Sequence, residues 1–76
     1  MTKQQEKMIV ESIGKAYQNY LRTRDEYDKK AENPHMREVE GMAHIIAVLN
    51  IPYETEWDIE RRCVKRFTLG DTTIYF

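Results

Sequence analysis

Apolar residues recur at helical spacing over the first half of the chain. The first run covers residues 4–31, where an apolar side chain falls on one broad face at each turn. Asn33 and Pro34 then provide an N-cap and a first-turn proline for a second helix over residues 34–49. Pro52 prevents this helix from continuing. The pattern therefore predicts two helices that form an antiparallel hairpin.

Beyond the second helix the spacing changes to strict alternation, which is typical of strands with one buried face. The alternation predicts strands at residues 51–58, 62–69 and 72–76, arranged as a three-stranded antiparallel meander. Gly70 and Asp71 fit the two-residue turn of the second hairpin. The predicted fold class is α+β, with the element order ααβββ in a single domain that takes up all 76 residues.

The register of the first hairpin follows from keeping apolar side chains on one face, since a slip by one residue inverts every side chain. A turn at residues 59–61 gives three apolar cross-strand pairs, Trp57 with Cys63, Tyr53 with Phe67 and Ile51 with Leu69. It also gives two charge pairs on the other face, Asp58 with Arg62 and Glu54 with Arg66. We therefore expect Trp57 to lie in the core.

The second predicted helix carries apolar residues on two faces. Ile45 and Val48, with Gly41 one turn earlier, lie opposite its main apolar stripe. Either this helix is buried between the first helix and the sheet, or Gly41 permits the close approach of a second subunit. Small layered domains commonly bury helices in the first way, which is the expectation here.

Composition adds constraints on stability and location. A chain of 76 residues has a thin core, and its single cysteine, Cys63, excludes an internal disulfide. A homo-oligomer is the expected compensation. The unpaired cysteine, together with an amino-terminal sequence that lacks a secretory apolar run, indicates the cytoplasm. No apolar stretch is long enough for a membrane span, so we expect no membrane association.

Few residues are candidates for catalysis or metal binding. His35 and His44 are nine positions apart, which places them on opposite sides of a helix and prevents them from sharing a metal ion. Glu40 lies one turn from His44, as in an acid–base pair, but no nucleophile is predicted near them. Glycine-rich phosphate-binding motifs are absent. We predict a chain that is not an enzyme and uses no metal or cofactor.

Tyrosine and arginine cluster on the first predicted helix. Tyr17, Tyr20 and Tyr27 share one face, and Arg24 lies within their stripe. These residue types are enriched in protein interfaces, because each combines a large buried body with a polar tip. Alternatively, the stripe is the end of the core and Arg24 extends across Tyr20, which the pattern supports equally. The four residues form the predicted protein-binding site.

A basic segment supports a second hypothesis. It consists of four cationic residues, Arg61, Arg62, Lys65 and Arg66. Tyr75 on the third strand could stack on a base, so these residues are a candidate nucleic-acid site. The net charge of −1 and the expected pairing with acidic residues disfavour strong phosphate binding.

The chain is compact, rich in tyrosine, densely charged and without a catalytic motif. In these respects it looks like the short proteins that phages and other mobile elements encode. That resemblance implies binding to a host protein, such as a defence nuclease, which is inhibited or redirected. The leading prediction is a non-enzymatic protein-binding accessory module. Nucleic-acid binding is the alternative, and ligand sequestration by a small oligomer is the third hypothesis.

Overall fold

The computed structural model describes residues 1–76 and contains two α-helices followed by a three-stranded antiparallel sheet. The elements are α1 (Lys3–Thr23), α2 (Pro34–Val48), β1 (Tyr53–Asp58), β2 (Cys63–Leu69) and β3 (Thr72–Tyr75). Two short 3₁₀ turns, Arg24–Glu26 and Lys30–Glu32, connect the helices. The strand order in the sheet is β1-β2-β3. The predicted α+β class and the ααβββ order are confirmed.

Helix α1 ends at Thr23, eight residues short of the predicted end at Ala31. The Thr23 hydroxyl donates to the carbonyl of Asn19 at 2.8 Å and accepts from the side-chain amide of Asn33 at 3.1 Å. At Tyr27 the backbone is extended, with φ −126° and ψ 137°. Contacts that are distant along the chain thus end the helix where the apolar spacing alone would continue it.

The start of α2 is fastened to the end of α1 through Asn33, which is fully buried. Its Oδ1 accepts from the backbone amide of His35 at 2.9 Å, and its Nδ2 donates to Thr23. Pro34 follows in the first turn of the helix. The predicted N-cap is therefore confirmed, and Asn33 also holds the helical hairpin together.

Strands β1 and β2 pair in a register that differs from the prediction. Tyr53 lies opposite Leu69, and a β-bulge after Glu56 then places Trp57 opposite Val64. The five predicted pairs are wrong: Trp57 with Cys63, Tyr53 with Phe67, Ile51 with Leu69, Asp58 with Arg62, and Glu54 with Arg66.

The turn between β1 and β2 explains the difference in register. It has four residues, 59–62, in place of the predicted three. The carboxylate of Asp58 accepts from the backbone amides of Glu60 and Arg61 at 3.0 and 3.2 Å. Arg62 adopts a left-handed conformation with φ 55°. The bulge then shifts the pairing by one further residue, so Tyr53 lies opposite Leu69, two positions from the predicted Phe67.

The core lies where α1 crosses β2 and β3, and it consists of two clusters. The first cluster contains Val10, Ile13, Ile46, Phe67 and Leu69. The second contains Tyr17, Tyr20, Met36 and Cys63. Helix α2 packs on α1 but does not pack closely on the sheet, so β1 is left without a helical cover. Neither helix combines the length and the apolar content that crossing a bilayer requires.

Candidate functional site

Two of the four residues in the predicted protein-binding stripe are buried. Tyr17 and Tyr20 are each only 8% exposed. The Tyr17 hydroxyl accepts from the Val64 backbone amide at 2.9 Å, and its ring meets the Phe76 ring edge-on. Burial raises the pKa of the Tyr17 hydroxyl above its ordinary value. Tyr17 and Tyr20 therefore belong to the core, as the second interpretation of the stripe held, because α1 packs them against the end of the sheet.

Arg24 makes two hydrogen bonds to the β1–β2 turn. Its guanidinium donates to the carbonyls of Arg62 at 3.0 Å and Arg61 at 2.6 Å. These bonds bring the β1–β2 turn against the residue that follows the end of α1. Arg24 is thus held by the chain itself, and Tyr27 is the remaining exposed tyrosine of the stripe. A binding role for Arg24 and Tyr27 stays a prediction.

Arg24→Ala is expected to lower the free energy of unfolding by about 1 to 2 kcal/mol, because two carbonyls of the turn lose a charged donor. Urea unfolding followed by circular dichroism measures this loss. Arg22→Ala is the matched control, since Arg22 bonds only to Asn19 within α1. The control should change the free energy by less than about 0.5 kcal/mol. Equal midpoints for both variants and the wild type would contradict the anchoring role.

Of the first two cations in the basic segment, Arg61 is paired with a neighbouring carboxylate and Arg62 is not. The Arg61 Nε lies 2.7 Å from a carboxylate oxygen of Asp58, and its Nη2 donates to the carbonyl of Phe76. This hydrogen-bonded pair holds the pKa of the Asp58 carboxyl below its usual range and raises that of Arg61. The Arg62 side chain is exposed and has no ion pair.

The second part of the segment shares one carboxylate. Lys65 and Arg66 both lie 3.3 Å from Glu56, one on each carboxylate oxygen. Hydrogen bonds from Lys65 and then Arg66 lower the pKa of the Glu56 carboxyl. The bulge permits this arrangement by directing two consecutive residues toward one partner. Tyr75 on β3 is exposed. Three of the four cations are therefore already paired.

An apolar groove lies between α2 and β1, and we call it the β1 groove. It has a volume of about 190 Å³, and eight of its nine lining residues are hydrophobic. The lining residues are Ile13, Tyr17, Val39, Ala43, Tyr53, Thr55, Val64, Phe67 and Phe76. The groove exists because α2 leaves the sheet uncovered at its β1 side.

Strand β1 forms one wall of this groove and carries two different faces. Tyr53 and Thr55 line the groove, and Trp57 continues the same face of the strand beyond the groove lining, opposite Val64. Despite this position, Tyr53 is 48% exposed and Trp57 is 54% exposed. The expectation that Trp57 lies in the core is therefore wrong. The other face of β1 is acidic, with Glu54, Glu56 and Asp58.

Sequence reasoning missed the β1 groove although part of its signal was present. Three acidic residues alternate along β1, and charged side chains are a common feature of exposed edge strands. That signal indicates an edge, but it does not show whether a helix covers the apolar face.

A second exposed apolar surface lies where the amino-terminal part of α1 meets the carboxyl-terminal part of α2. We call it the helical patch and define it by Met8, Ile45, Val48 and Leu49, each more than half exposed. The groove beside it contains no charged residue. The expectation that α2 is buried on both sides is wrong, because the side of α2 that carries Ile45 and Val48 has no covering element. Gly41 has no neighbouring atom within 4 Å of the position of a β-carbon.

Nowhere in the chain do three or more histidine, cysteine or acidic side chains come close enough to hold a metal ion. Function is therefore inferred from the two exposed apolar surfaces and the charges around them. Among known proteins, no family model, no curated protein and no solved structure matches this chain.

Proposed function

We propose that this chain is a non-enzymatic protein-binding module whose partner docks on the β1 groove. The observation that carries the proposal is the exposure of about half of Tyr53, which lines the apolar groove, and of Trp57, which continues the same face of β1 beyond it. A partner that covers exposed aromatic side chains of this size removes apolar surface from water, which favours binding. Tryptophan and tyrosine are enriched among the interface residues that contribute most to the free energy of binding. Contiguous apolar surface of this kind commonly marks an interaction site.

The charges weigh against nucleic-acid binding, and the volume of the β1 groove weighs against a small-molecule ligand in that groove. A phosphate bound at the basic segment would compete with Glu56 and Asp58, which already hold Lys65, Arg66 and Arg61. Ligand sites for small molecules usually occupy about 300 to 1,000 Å³. The groove has about 190 Å³, which favours insertion of a few side chains over enclosure of a ligand.

In biological terms, the proposal is a phage or mobile-element product that occupies a surface of a host protein and thereby inhibits or redirects it. A cytoplasmic location is part of the proposal. It is supported by the single cysteine, Cys63, which is buried and forms no disulfide.

Photo-crosslinking tests the docking site. The photoreactive residue benzoylphenylalanine in place of Trp57 should give a discrete protein adduct in host extract, whereas the same residue in place of the exposed Gln18 should give none. Ala43→Arg, which fills the groove from α2, should prevent the adduct. The host protein identified in the adduct should then, after purification, bind the wild-type chain but not the Ala43→Arg variant. An adduct from position 18 only would contradict the proposal. So would an adduct that forms with benzoylphenylalanine in place of Arg62 and is lost on nuclease treatment.

Homo-oligomerisation through the helical patch is a separate part of the proposal. The groove beside the patch has no charged residue, so an identical surface meets no like-charge repulsion there. A two-fold interface would bring Met8, Ile45, Val48 and Leu49 of two copies together and extend the thin core.

Ile45→Glu is therefore expected to abolish self-association in sedimentation equilibrium, because it places two carboxylates in an apolar interface. The free energy of unfolding of the monomer should change little, since Ile45 is mostly exposed. Glu38→Gln on the same helix is the control and should associate like the wild type. A wild-type chain that remains monomeric at its highest attainable concentration would contradict this part.

A further inference from the structure

The geometry points to the form of the partner: an extended protein segment of alternating apolar and basic residues that adds to the sheet along the free edge of β1. This inference rests on the proposed function, because it specifies what occupies the β1 groove. It goes further in assigning the backbone of β1 as the main recognition element and Glu54 as the residue that selects a basic side chain.

The free edge of β1 is open to pairing. β1 is hydrogen-bonded only to β2, so its backbone groups on the other side have no strand partner. Residues 53–57 are all exposed, and neither helix packs closely against this strand. β1 has six residues and contains no proline. A strand edge with these properties is a template onto which another extended chain can add.

The β1 groove lies on the apolar side of such an added strand. Side chains of the added strand that point toward the helices would lie beside Tyr53, Thr55 and Trp57 and below Val39 and Ala43 of α2. This space is lined almost entirely by apolar side chains. Every second residue of the partner segment is therefore apolar, and aliphatic β-branched residues suit both the strand conformation and the groove.

The acidic face of β1 determines which residues of the partner segment alternate with the apolar ones. Glu56 is shared by Lys65 and Arg66, and Asp58 is paired with Arg61. Glu54 differs, because its neighbour on β2 is the uncharged Thr68 and no cation lies within ion-pairing distance. A basic side chain on the added strand would provide the cross-strand partner that Glu54 lacks.

The same charges disfavour a second copy of this chain at the edge. Antiparallel pairing of β1 with itself must keep the apolar faces on one side. The two central registers that do so place Glu54 opposite Glu56, or Glu56 opposite its own copy. Like charges in directly opposite positions destabilise a sheet. The β1 edge therefore selects a different, basic chain, whereas the uncharged helical patch is the surface suited to self-association.

Binding of synthetic octapeptides by the wild-type chain tests the inference. The probe is an acetylated and amidated peptide of alternating lysine and valine, and the comparison peptide has glutamate in place of lysine. We expect the lysine peptide to bind at least about tenfold more tightly in calorimetry, because attraction replaces repulsion at Glu54. Two further lysine peptides are N-methylated, one at its odd-numbered and the other at its even-numbered backbone amides. One of the two should fail to bind, since strand addition needs the amide donors of every second residue. Backbone amides of β1 should exchange with solvent more slowly in the complex.

Variants separate charge selection from docking. Glu54→Gln should reduce the preference for the lysine peptide several-fold. Glu60→Gln, at an exposed turn residue without an ion pair, should leave it unchanged. Equal affinity for both peptides would overturn the role of Glu54. Undiminished binding of both N-methylated peptides, or unchanged exchange in β1, would overturn strand addition.

The failure of this inference is distinguishable from the failure of the proposed function. If a protein crosslinks at position 57 and binds without slowing the exchange of β1 amides, that result would support the protein-binding module and contradict strand addition. Absence of a protein adduct at position 57 removes the proposed docking site itself. Displacement of the lysine peptide by a single-stranded oligonucleotide of similar length, with a steep dependence on salt, would overturn the inference in favour of nucleic acid.

Discussion

Leu69→Ala is expected to lower the free energy of unfolding by about 2 to 5 kcal/mol, which is the usual range for removing a buried leucine. Leu69 has 0% exposure and packs with Val10, Ile13 and Phe67 where α1 crosses the sheet. Domains of this kind are stable by only about 5 to 15 kcal/mol, so the variant should unfold at a much lower urea concentration. Circular dichroism during urea titration measures the shift.

Ile59→Ala is the matched control for Leu69→Ala, because it truncates another aliphatic side chain in the same sheet region. Ile59 lies in the β1–β2 turn and is 82% exposed. Its truncation should change the free energy of unfolding by no more than about 0.5 kcal/mol. Similar losses in the two variants would mean that Leu69 does not occupy the centre of the core.

Those features of the fold that depend on neighbouring residues could be predicted from the sequence. The cap at Asn33 and the proline after it depend on local hydrogen bonding and a restricted backbone angle, and both are observed. The change in apolar spacing after α2 correctly separates helices from strands. Gly70 has a positive φ of 59° in the second hairpin turn, as the local turn preference requires.

Features that depend on distant contacts could not be predicted in the same way. The early end of α1 involves Asn33, which is ten positions beyond Thr23, and the turn after β1 receives hydrogen bonds from Arg24. Apolar spacing contains no information on these contacts. The register failed for a different and local reason: the Asp58 side chain closes a four-residue turn, and a bulge then shifts the pairing by one further residue.

The candidate site shows the same division between local pattern and global placement. A stripe of tyrosines at helical spacing is compatible with a core and with an interface, and only the position of the sheet places Tyr17 and Tyr20 in the core. Alternation correctly assigns Tyr53 and Trp57 to one face of β1. Whether that face is covered depends on where α2 lies, and α2 is held by α1 through contacts at its start and along its length.

Trp57→Ala is expected to weaken partner binding by at least about 2 kcal/mol, or roughly 30-fold, because central tryptophans of interfaces commonly have effects of this size. The free energy of unfolding should fall by no more than about 1 kcal/mol, a limit set by strand propensity. A Trp57 in the core, as the sequence alone predicts, would instead cost about 3 to 5 kcal/mol of stability. Calorimetric titration with the crosslinked partner and urea unfolding of the same variant measure the two effects separately.

Tyr75→Ala provides the control for Trp57→Ala, since Tyr75 is an even more exposed aromatic residue on the opposite edge strand, β3. It should alter neither partner binding nor stability by more than about 0.5 kcal/mol. If Tyr75→Ala weakened binding as much as Trp57→Ala, the partner would contact the basic segment and β3, as the nucleic-acid hypothesis expects. If Trp57→Ala lowered stability strongly and left the affinity unchanged, Trp57 would be a structural residue. Loss of affinity confined to Trp57→Ala, with stability retained, is the result that places the partner on the face of β1 that lines the β1 groove.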